Sequence, residues 1–307
     1  FVHGLAVLLS KAFTRLGWLR LASLPASCTT WMLLLRHRPD VVLVDFGFHA
    51  VRVMEATAWC AVPLVVHFRG SDASSEAKFQ RLTNRYRRLF QLSAGVIVKS
   101  RPMQVVLKGL GADPETLLIS PSGADPLLFH GAKPASASPR FLAVGRLVAK
   151  KGPLQTLEAF ARMRDSLPES LQQDVSLDIV GDGPLRRDLE RAVKQRGLVK
   201  QVALLGALPQ RQIVERMRLA RGFVQHSLVA PDGDSEGNPV AVMEAQLCGL
   251  PVVATRHAGI PEVVLEEETG LLVDEGDVDG MAAAMRRLVL EPSLAGQFGM
   301  AGQRRVE

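Results

Sequence analysis

The chain has few cysteines, few aromatics and no long apolar run. Its 307 residues include three cysteines, Cys28, Cys60 and Cys248, far apart and without C-x-x-C spacing. An odd, sparse count argues against a disulfide framework and for a reducing compartment. His and Cys do not cluster at metal-ligand spacing, so no metal is expected. Aromatics make up only 5% of the residues, so a base-stacking basic module is missing. Nucleic acid is therefore not an expected partner, although the formal net charge is +6. Anionic membrane lipid and phosphorylated small molecules suit that charge better. No apolar run reaches the ~20 residues that a membrane span needs. Leu19 to Leu35 comes nearest, interrupted by Ser23, Pro25, Ser27, Thr29 and Thr30.

What is present is ordinary globular composition, 47% hydrophobic and 22% charged, at a length that suits two domains. Strand candidates are Val41–Asp45, Pro63–Phe68, Gly95–Lys99 and Leu117–Ser120, then Phe141–Gly145, Ser176–Gly181, Val202–Gly206, Gly222–His226, Pro251–Thr255 and Gly270–Val273. Several are unbroken Val/Leu/Ile runs, the pattern of a strand buried on both faces. Helical patterns lie between them, clearest over Leu154–Ser166, Pro184–Arg196, Gln210–Leu219 and Pro239–Gly249. Such alternation predicts parallel sheets covered by helices. Gly131–Pro139, GAKPASASP, reads as a linker. The expected division is residues 1–130 as a first domain, 131–139 as linker and 140–307 as a second domain, two doubly wound α/β domains facing across a cleft. Phe1–Arg38 offers mostly helical material where such a domain usually opens with a strand, so the sequence is expected to begin inside a longer protein.

Four motifs follow predicted strands, where open α/β sheets bind ligands. Gly145-Arg146-Leu147-Val148-Ala149-Lys150-Lys151-Gly152-Pro153 places two cations, Arg146 and Lys151, at a helix start. That combination suits a diphosphate, and a solvated basic loop is the alternative. In Gly181-Asp182-Gly183-Pro184, Asp182 is expected to cap the next helix. In Glu236-Gly237-Asn238-Pro239-Val240-Ala241-Val242-Met243-Glu244, Gly237 and Asn238 open a helix and Pro239 sets its first residue. Glu244 stands among apolar neighbours, and a carboxylate so placed needs hydroxyl or amide partners. His257, in the loop before Gly259-Ile260-Pro261-Glu262, reads as an exposed loop histidine, and Glu262 as a structural brace.

These motifs together, G-R-L-x-x-x-K-G, G-D-G-P, E-G-N-P-x-x-x-x-E, P-V-V-A-T and G-I-P-E, resemble the retaining GT-B glycosyltransferases of family 4. The likeness covers residues 41 to 300 or so and is stronger in the second half. The segment from Gln225-His226-Ser227 to Asp234 resembles the exopolysaccharide or colanic-acid branch. The resemblance implies donor-site roles for Gly145, Arg146, Lys151, Gly181, Gly237, Asn238, Pro239, Val240 and Glu244. Arg146 and Lys151 would neutralise the diphosphate leaving group, Glu244 would hold ribose hydroxyls, and Glu236 would contact the donor sugar. It implies no metal and no cofactor, with a nucleotide-diphosphate sugar as donor substrate. In Val66-His67-Phe68-Arg69-Gly70-Ser71-Asp72, aligning Gly70 and Asp72 puts Arg69 where many relatives carry His. His67 and Arg69 are both candidates on the acceptor side, with Asp72 beside them.

The stretch Lys78–Phe90 carries five cations beside Phe79, Leu82, Tyr86, Leu89 and Phe90. A basic amphipathic helix can lie on an anionic membrane, or it can pack its apolar side on the sheet and leave its charges in water. The expected partners are a nucleotide sugar and a glycan or lipid-linked acceptor, in a cytoplasmic protein that touches the inner face of the membrane at most peripherally. Other GT-B chemistry, such as an epimerase or a glucan synthase, and a non-catalytic binding module are the alternatives.

Overall fold

A computed structural model describes residues 19–74 and 76–306, with side chains described over 22–73 and 81–306. The chain divides into two compact units, Phe1–Pro121 and Ser122–Glu307. Of the predicted helical opening, residues 1–18 lie outside the described residues.

In the first unit, α1 (Leu19–His37) precedes β1 (Val42–Asp45), α2 (Gly47–Trp59), β2 (Leu64–His67), the single turn α3 (Ser71–Ser74), α4 (Glu76–Leu92), β3 (Gly95–Val98), α5 (Arg101–Gly109) and β4 (Leu117–Ile119). The four strands are parallel and stand in sequence order. Alternate residues Leu64 and Val66 of β2, and Val96 and Val98 of β3, enter one core with Met54, Phe68, Tyr86, Leu89 and Phe90. A strand has period two, so one face of each strand feeds that core. The chain's nearest approach to a membrane span is α1, which holds Pro25 within it. No described helix is long and apolar enough to cross a membrane.

The apolar side of α4 is in the core. Leu82 packs on it, and Tyr86, Leu89 and Phe90 are buried in it. Arg85, one of the five cations, also turns inward, donating to the Val51 carbonyl at 2.5 Å and the Ser23 hydroxyl at 3.1 Å. Arg81, Arg87 and Arg88 are exposed. The helix therefore follows the second reading given for it: its described apolar side chains cover the sheet and cannot also enter a bilayer.

The second unit runs β5 (Arg140–Val144), α6 (Pro153–Asp165), α7 (Glu169–Gln172), β6 (Ser176–Val180), α8 (Arg186–Gln195), β7 (Val202–Gly206), α9 (Gln210–Leu219), β8 (Gly222–Gln225), α10 (Val240–Cys248), β9 (Val252–Thr255), α11 (Ile260–Val263), β10 (Gly270–Val273), α12 (Val278–Leu290) and α13 (Pro292–Val306). Its six parallel strands are ordered β10-β9-β8-β5-β6-β7. That is the doubly wound order, with the chain reversing direction across the sheet between β5 and β8. Neighbouring residues go to opposite cores. Phe141, Val224, Val253 and Leu271 enter one, while Leu142, Phe223, Val252 and Leu272 enter the other. This is why these strands read as continuous apolar runs.

The division between units falls earlier than the sequence suggests, because residues 122–139 pack with the second unit. Phe129 is fully buried in its core. The Ala132 N–H donates to the Cys248 carbonyl at 2.9 Å, and Arg221 donates to the Ala137 carbonyl. The Pro-rich, small-residue segment is thus an ordered strap, since its backbone groups find partners on α10 and beside β8.

Candidate functional site

The switch point between β5 and β8 brings two of the sequence motifs together. Past β5 the chain turns at Gly145, makes a short 3₁₀ turn over Ala149–Lys151, and enters α6 through Gly152. Gly152 has φ 51°, and a Cβ there would lie 1.9 Å from the His226 carbonyl oxygen just beyond β8. Only glycine allows the two loops to close on each other in this way. Gly181, after β6, has φ 135°, and a Cβ there would meet the Gly145 carbonyl oxygen at 1.9 Å. The glycines therefore set the spacing of backbone around the site.

Lys151 and Glu236 are brought into direct contact: Nζ lies 3.1 Å from Oε2. Lys150, which the motif reading passed over, is the more buried lysine at 8% exposure. Its Nζ donates to Asp234 Oδ1 at 3.1 Å and to the Ser235 carbonyl at 3.2 Å, and lies 3.9 Å from Glu236 Oε1. Lys150 ties the loop ahead of α10 to the loop after β5, and the two lysines together hold Glu236. The signal for Lys150 was the doubled lysine itself, in which adjacent side chains serve different partners. Arg146 is exposed, and its side chain makes no hydrogen bond or ion pair among the described residues.

Polar atoms converge here without internal partners. Glu236 Oε1 and both amide atoms of Asn238 are buried and unbonded, with Asn238 only 8% exposed. Buried polar atoms are nearly always satisfied, whereas Glu236 Oε1 has only Lys150 at 3.9 Å and the Asn238 amide has no hydrogen bond, an arrangement that can take a polar ligand. Pro239 is the N-cap of α10 and Val240 its first residue, one position later than the motif suggests. Asn238 therefore does not cap the helix, which leaves its amide free. The start of α10 directs its unbonded N–H groups outward from Val240, where an anion is favoured. Gly237 is buried in the loop before it.

Glu244 is half-buried on α10, and burial pushes its pKa up, against a Gln210 amide hydrogen bond at 3.3 Å that lowers it. One weak partner leaves most of its lone pairs available. Asp182 does not cap α8: it accepts from the Gly183 N–H at 2.7 Å, while α8 begins at Arg186. It braces the strand-to-helix turn.

His257 is 2% exposed, not a surface histidine. Its Nε2 accepts from the Glu236 N–H at 3.1 Å, and its Nδ1 lies 2.5 Å from Glu275 Oε1. Glu275 in turn accepts from the Val229 N–H at 2.9 Å. The chain Val229–Glu275–His257–Glu236 anchors the whole loop from β8 to α10 against the loops after β9 and β10. Because Nε2 accepts, the ring proton sits on Nδ1 and is donated to Glu275. Nothing in the local pattern around His257 names these partners, which lie 18 and 21 residues away. The Glu262 backbone carbonyl accepts from the Arg305 guanidinium at 2.8 Å, in keeping with a structural part.

In the first unit, β2 delivers His67 at its carboxyl end, beside Asp45 at the end of β1. His67 Nδ1 is 3.0 Å from Asp45 Oδ1, and Arg69 Nη1 is 3.5 Å from the same oxygen. His67 and Arg69 thus share one carboxylate, and both reach the strand-end surface. Asp72 does not join them. It is 1% exposed, and its oxygens accept from the N–H groups of Gly47 at 2.9 Å, Arg69 at 3.0 Å and Gly70 at 2.9 Å. With its oxygens committed to the backbone, Asp72 shapes the loop that carries Arg69, and it is no longer a candidate for touching an acceptor.

The chain resembles known proteins. Residues 130–305 match the family described as Glycosyl transferases group 1. The amylovoran biosynthesis glycosyltransferase AmsK of Erwinia amylovora is 34% identical over 256 residues, covering 81% of this chain and 61% of that protein. A GDP-mannose-dependent alpha-(1-6)-phosphatidylinositol monomannoside mannosyltransferase of Mycolicibacterium smegmatis is 33% identical over 166 residues, 54% of this chain and 42% of that one. The chain spans about three-fifths of the length of the first of these relatives and less of the second. Among solved structures, Anabaena HepE in complex with UDP superposes with a TM-score of 0.77 at 20% identity, covering 92% of this chain and 78% of HepE. That likeness supports the fold, GT-B, with its two parallel-sheet α/β domains. With the family's pattern matched over more than half of the sequence, on the unit that holds the Lys151–Glu236 site, this chain belongs to the glycosyl transferases group 1 family.

Proposed function

We propose that the protein transfers a hexosyl group from a nucleotide-diphosphate sugar to a polysaccharide or lipid-linked acceptor, with retention of configuration and without a metal ion. The observation that carries this reading is the Lys150–Glu236–Lys151 contact beside the unpaired amide of Asn238, at the switch point of a doubly wound sheet.

In this reading the diphosphate lies at the start of α10, near Lys151 and Arg146. As the bond from the anomeric carbon to the phosphate oxygen breaks, negative charge grows on the leaving diphosphate. Fixed cations and helix N–H groups stabilise that charge without reorganising. Glu236 presents Oε1 to a hydroxyl of the transferred sugar, and its contacts with the lysines hold the carboxylate in place. Glu244, with its raised pKa and spare lone pairs, receives the ribose hydroxyls. The acceptor attacks from the face that the leaving group vacates.

The relatives support the class of partner. HepE was solved with UDP, and the mycobacterial relative is named for GDP-mannose and a phosphatidylinositol monomannoside, so both UDP and GDP donors belong in the screen. The likeness to AmsK supports the exopolysaccharide branch. The protein is proposed to act in the cytoplasm, with the exposed Arg81, Arg87 and Arg88 giving at most an electrostatic contact to an anionic membrane.

The test is a panel of sugar nucleotides scored by thermal shift, followed by product analysis with the stabilising donor. Free nucleotide diphosphate together with a new glycosidic bond supports transfer. An altered donor sugar indicates epimerisation, and binding with no turnover indicates a binding module. If Lys151→Ala and Glu244→Ala both leave donor affinity and turnover unchanged, the site assignment is wrong.

A further inference from the structure

Lys99 takes no part in the donor site and was not singled out by any motif. It follows directly on β3, is 8% exposed, and makes no hydrogen bond or ion pair among the described residues. Its Nζ is not among the buried atoms left without a hydrogen bond, so the stem is covered while the ammonium keeps contact with water.

Its surroundings show what that ammonium faces. The parallel register sets Asp45 against His67 and His67 against Ile97, so the carboxyl ends of β1, β2 and β3 bring Asp45, His67, Arg69 and Lys99 to one edge of the sheet. Arg69 and Asp45 act electrostatically on Lys99, and Lys99 acts on His67. The single carboxylate, Asp45, is already divided between His67 and Arg69. Burial and then Arg69 lower the Lys99 pKa, Asp45 opposing them, so the guanidinium and the ammonium share one anion. Burial, and then Lys99, hold the His67 pKa below its ordinary value, so the ring is neutral and gives its Nδ1 proton to Asp45. His67 Nε2 is then left buried with no partner. Ser100, the next residue after Lys99 and the N-cap of α5, has a buried hydroxyl that also bonds to nothing. One sheet edge thus carries an unpaired ammonium, a half-engaged guanidinium, an unpaired imidazole nitrogen, an unpaired hydroxyl and the start of a nine-residue helix.

We propose that Lys99, Arg69 and His67 form an oxyanion pocket in the first unit that takes a phosphoryl group of the acceptor. This deepens the transferase reading and rests on it. The groups come from the ends of neighbouring strands, and a phosphoryl group has several oxygens to divide among them. Arg69 supplies its planar donor fork and Lys99 a point charge. His67 completes the shell by taking up a proton as the anion arrives, because a neighbouring negative charge favours the imidazolium.

Calorimetric titration of the full chain with inorganic phosphate at constant ionic strength tests this. Two sites are expected. Lys99→Met and Arg69→Gln each weaken one by at least about tenfold, while Lys151→Met weakens the other. A folded Lys99→Met protein that keeps both sites unchanged overturns the pocket. If Lys151→Met changes nothing while Lys99→Met abolishes a site, the donor assignment fails and the pocket stands. A measurement on the unaltered protein covers the case in which Lys99→Met does not fold: phosphate should raise the midpoint of the His67 ring titration seen by NMR, and an unmoved midpoint overturns the proposal. Competition then identifies the source. Displacement of phosphate by a polyprenyl diphosphate in detergent micelles assigns a lipid carrier, and displacement only by a soluble sugar phosphate assigns a phosphorylated glycan. Binding of glucuronate with no response to phosphate overturns the phosphoryl assignment.

Discussion

Lys151 Nζ and Glu236 Oε2 are 3.1 Å apart, so the side chain expected to meet the diphosphate and the one expected to meet the sugar hold each other. The pair is only 16% and 9% exposed. At that burial, removing one partner leaves the other charged and unmatched, a larger effect than loss of the pair itself. Lys151→Met is expected to weaken nucleotide-sugar binding by about 10- to 100-fold, the loss of one charge-assisted contact, and to lower kcat as well if the contact tightens as the leaving group gains charge. Glu236→Gln keeps the shape but frees Lys151 of its ion pair, while Lys150 stays on Asp234 and the Ser235 carbonyl. It should cut turnover while leaving nucleoside-diphosphate affinity equal or greater. Steady-state kinetics beside calorimetry with the product nucleotide separates the two outcomes.

Asn238 offers a cleaner probe, because its amide is buried with neither atom hydrogen-bonded. Truncating such a group removes no internal bond. Asn238→Ala should change the urea unfolding free energy of the ligand-free protein by less than about 1 kcal/mol, yet reduce the thermal shift given by the donor. A large loss of stability in the ligand-free protein would mean that the amide is structural.

Asp72 makes the opposite case. Its carboxylate holds the N–H groups of Gly47, Arg69 and Gly70. Asp72→Ala strands these donors in a buried loop, and an expected loss of about 2–4 kcal/mol should appear in denaturant unfolding. Acceptor KM should change only to the extent that Arg69 is displaced.

His257 acts through the loop that it anchors. His257→Ala removes the acceptor for the Glu236 N–H and the donor to Glu275. His257→Gln can restore the first of these bonds. The alanine variant should therefore lose more turnover than the glutamine variant, with nucleotide affinity affected less than kcat, as measured by paired kinetics and product binding. Equal loss in both would mean that the bond to Glu236 is not what positions the loop.

A pH effect follows from His226, which is fully buried and accepts from the Gly276 N–H at 2.9 Å. Burial holds its pKa below 6.5, opposed by Asp277 and Glu275. The unfolded chain binds the proton more readily than the folded one, so stability is full above about pH 6.5 and falls as the pH drops from there toward the folded-state value. His67, also lowered, adds in the same direction. Urea midpoints measured from about pH 8 down to about pH 5 should decline, and His226→Gln, which can still accept from Gly276, should flatten that decline. A decline of equal size in the variant would place its cause elsewhere.

The ten described strands were legible in the sequence to within a residue, and α6, α8, α9 and α10 to within one or two, whereas α12 and α13 were not marked out. Buried parallel strands carry an unmistakable apolar signature, and Gly and Pro punctuate the turns between them. Gly152 and Gly181 stood in their motifs for reasons that local sequence conveys, since backbone that must come close excludes a Cβ. The linker was misplaced for a related reason. Its composition is that of a free tether, but the partners of its backbone, Cys248 and Arg221, are remote in sequence.

The sequence by itself determined the fold class and set out the motifs that hold Lys151, Glu236 and Glu244, because each depends on residue type and spacing within one strand-turn-helix unit. Tertiary structure alone decided which charges meet. It paired Lys151 with Glu236, gave Lys150 the loop to hold, spent Asp72 on backbone and buried His257 as an anchor. It also set Lys99 without a partner beside His67 and Arg69. Those outcomes depend on strand order and register, which bring the ends of distant segments to one edge of a sheet, and no local pattern encodes that distance.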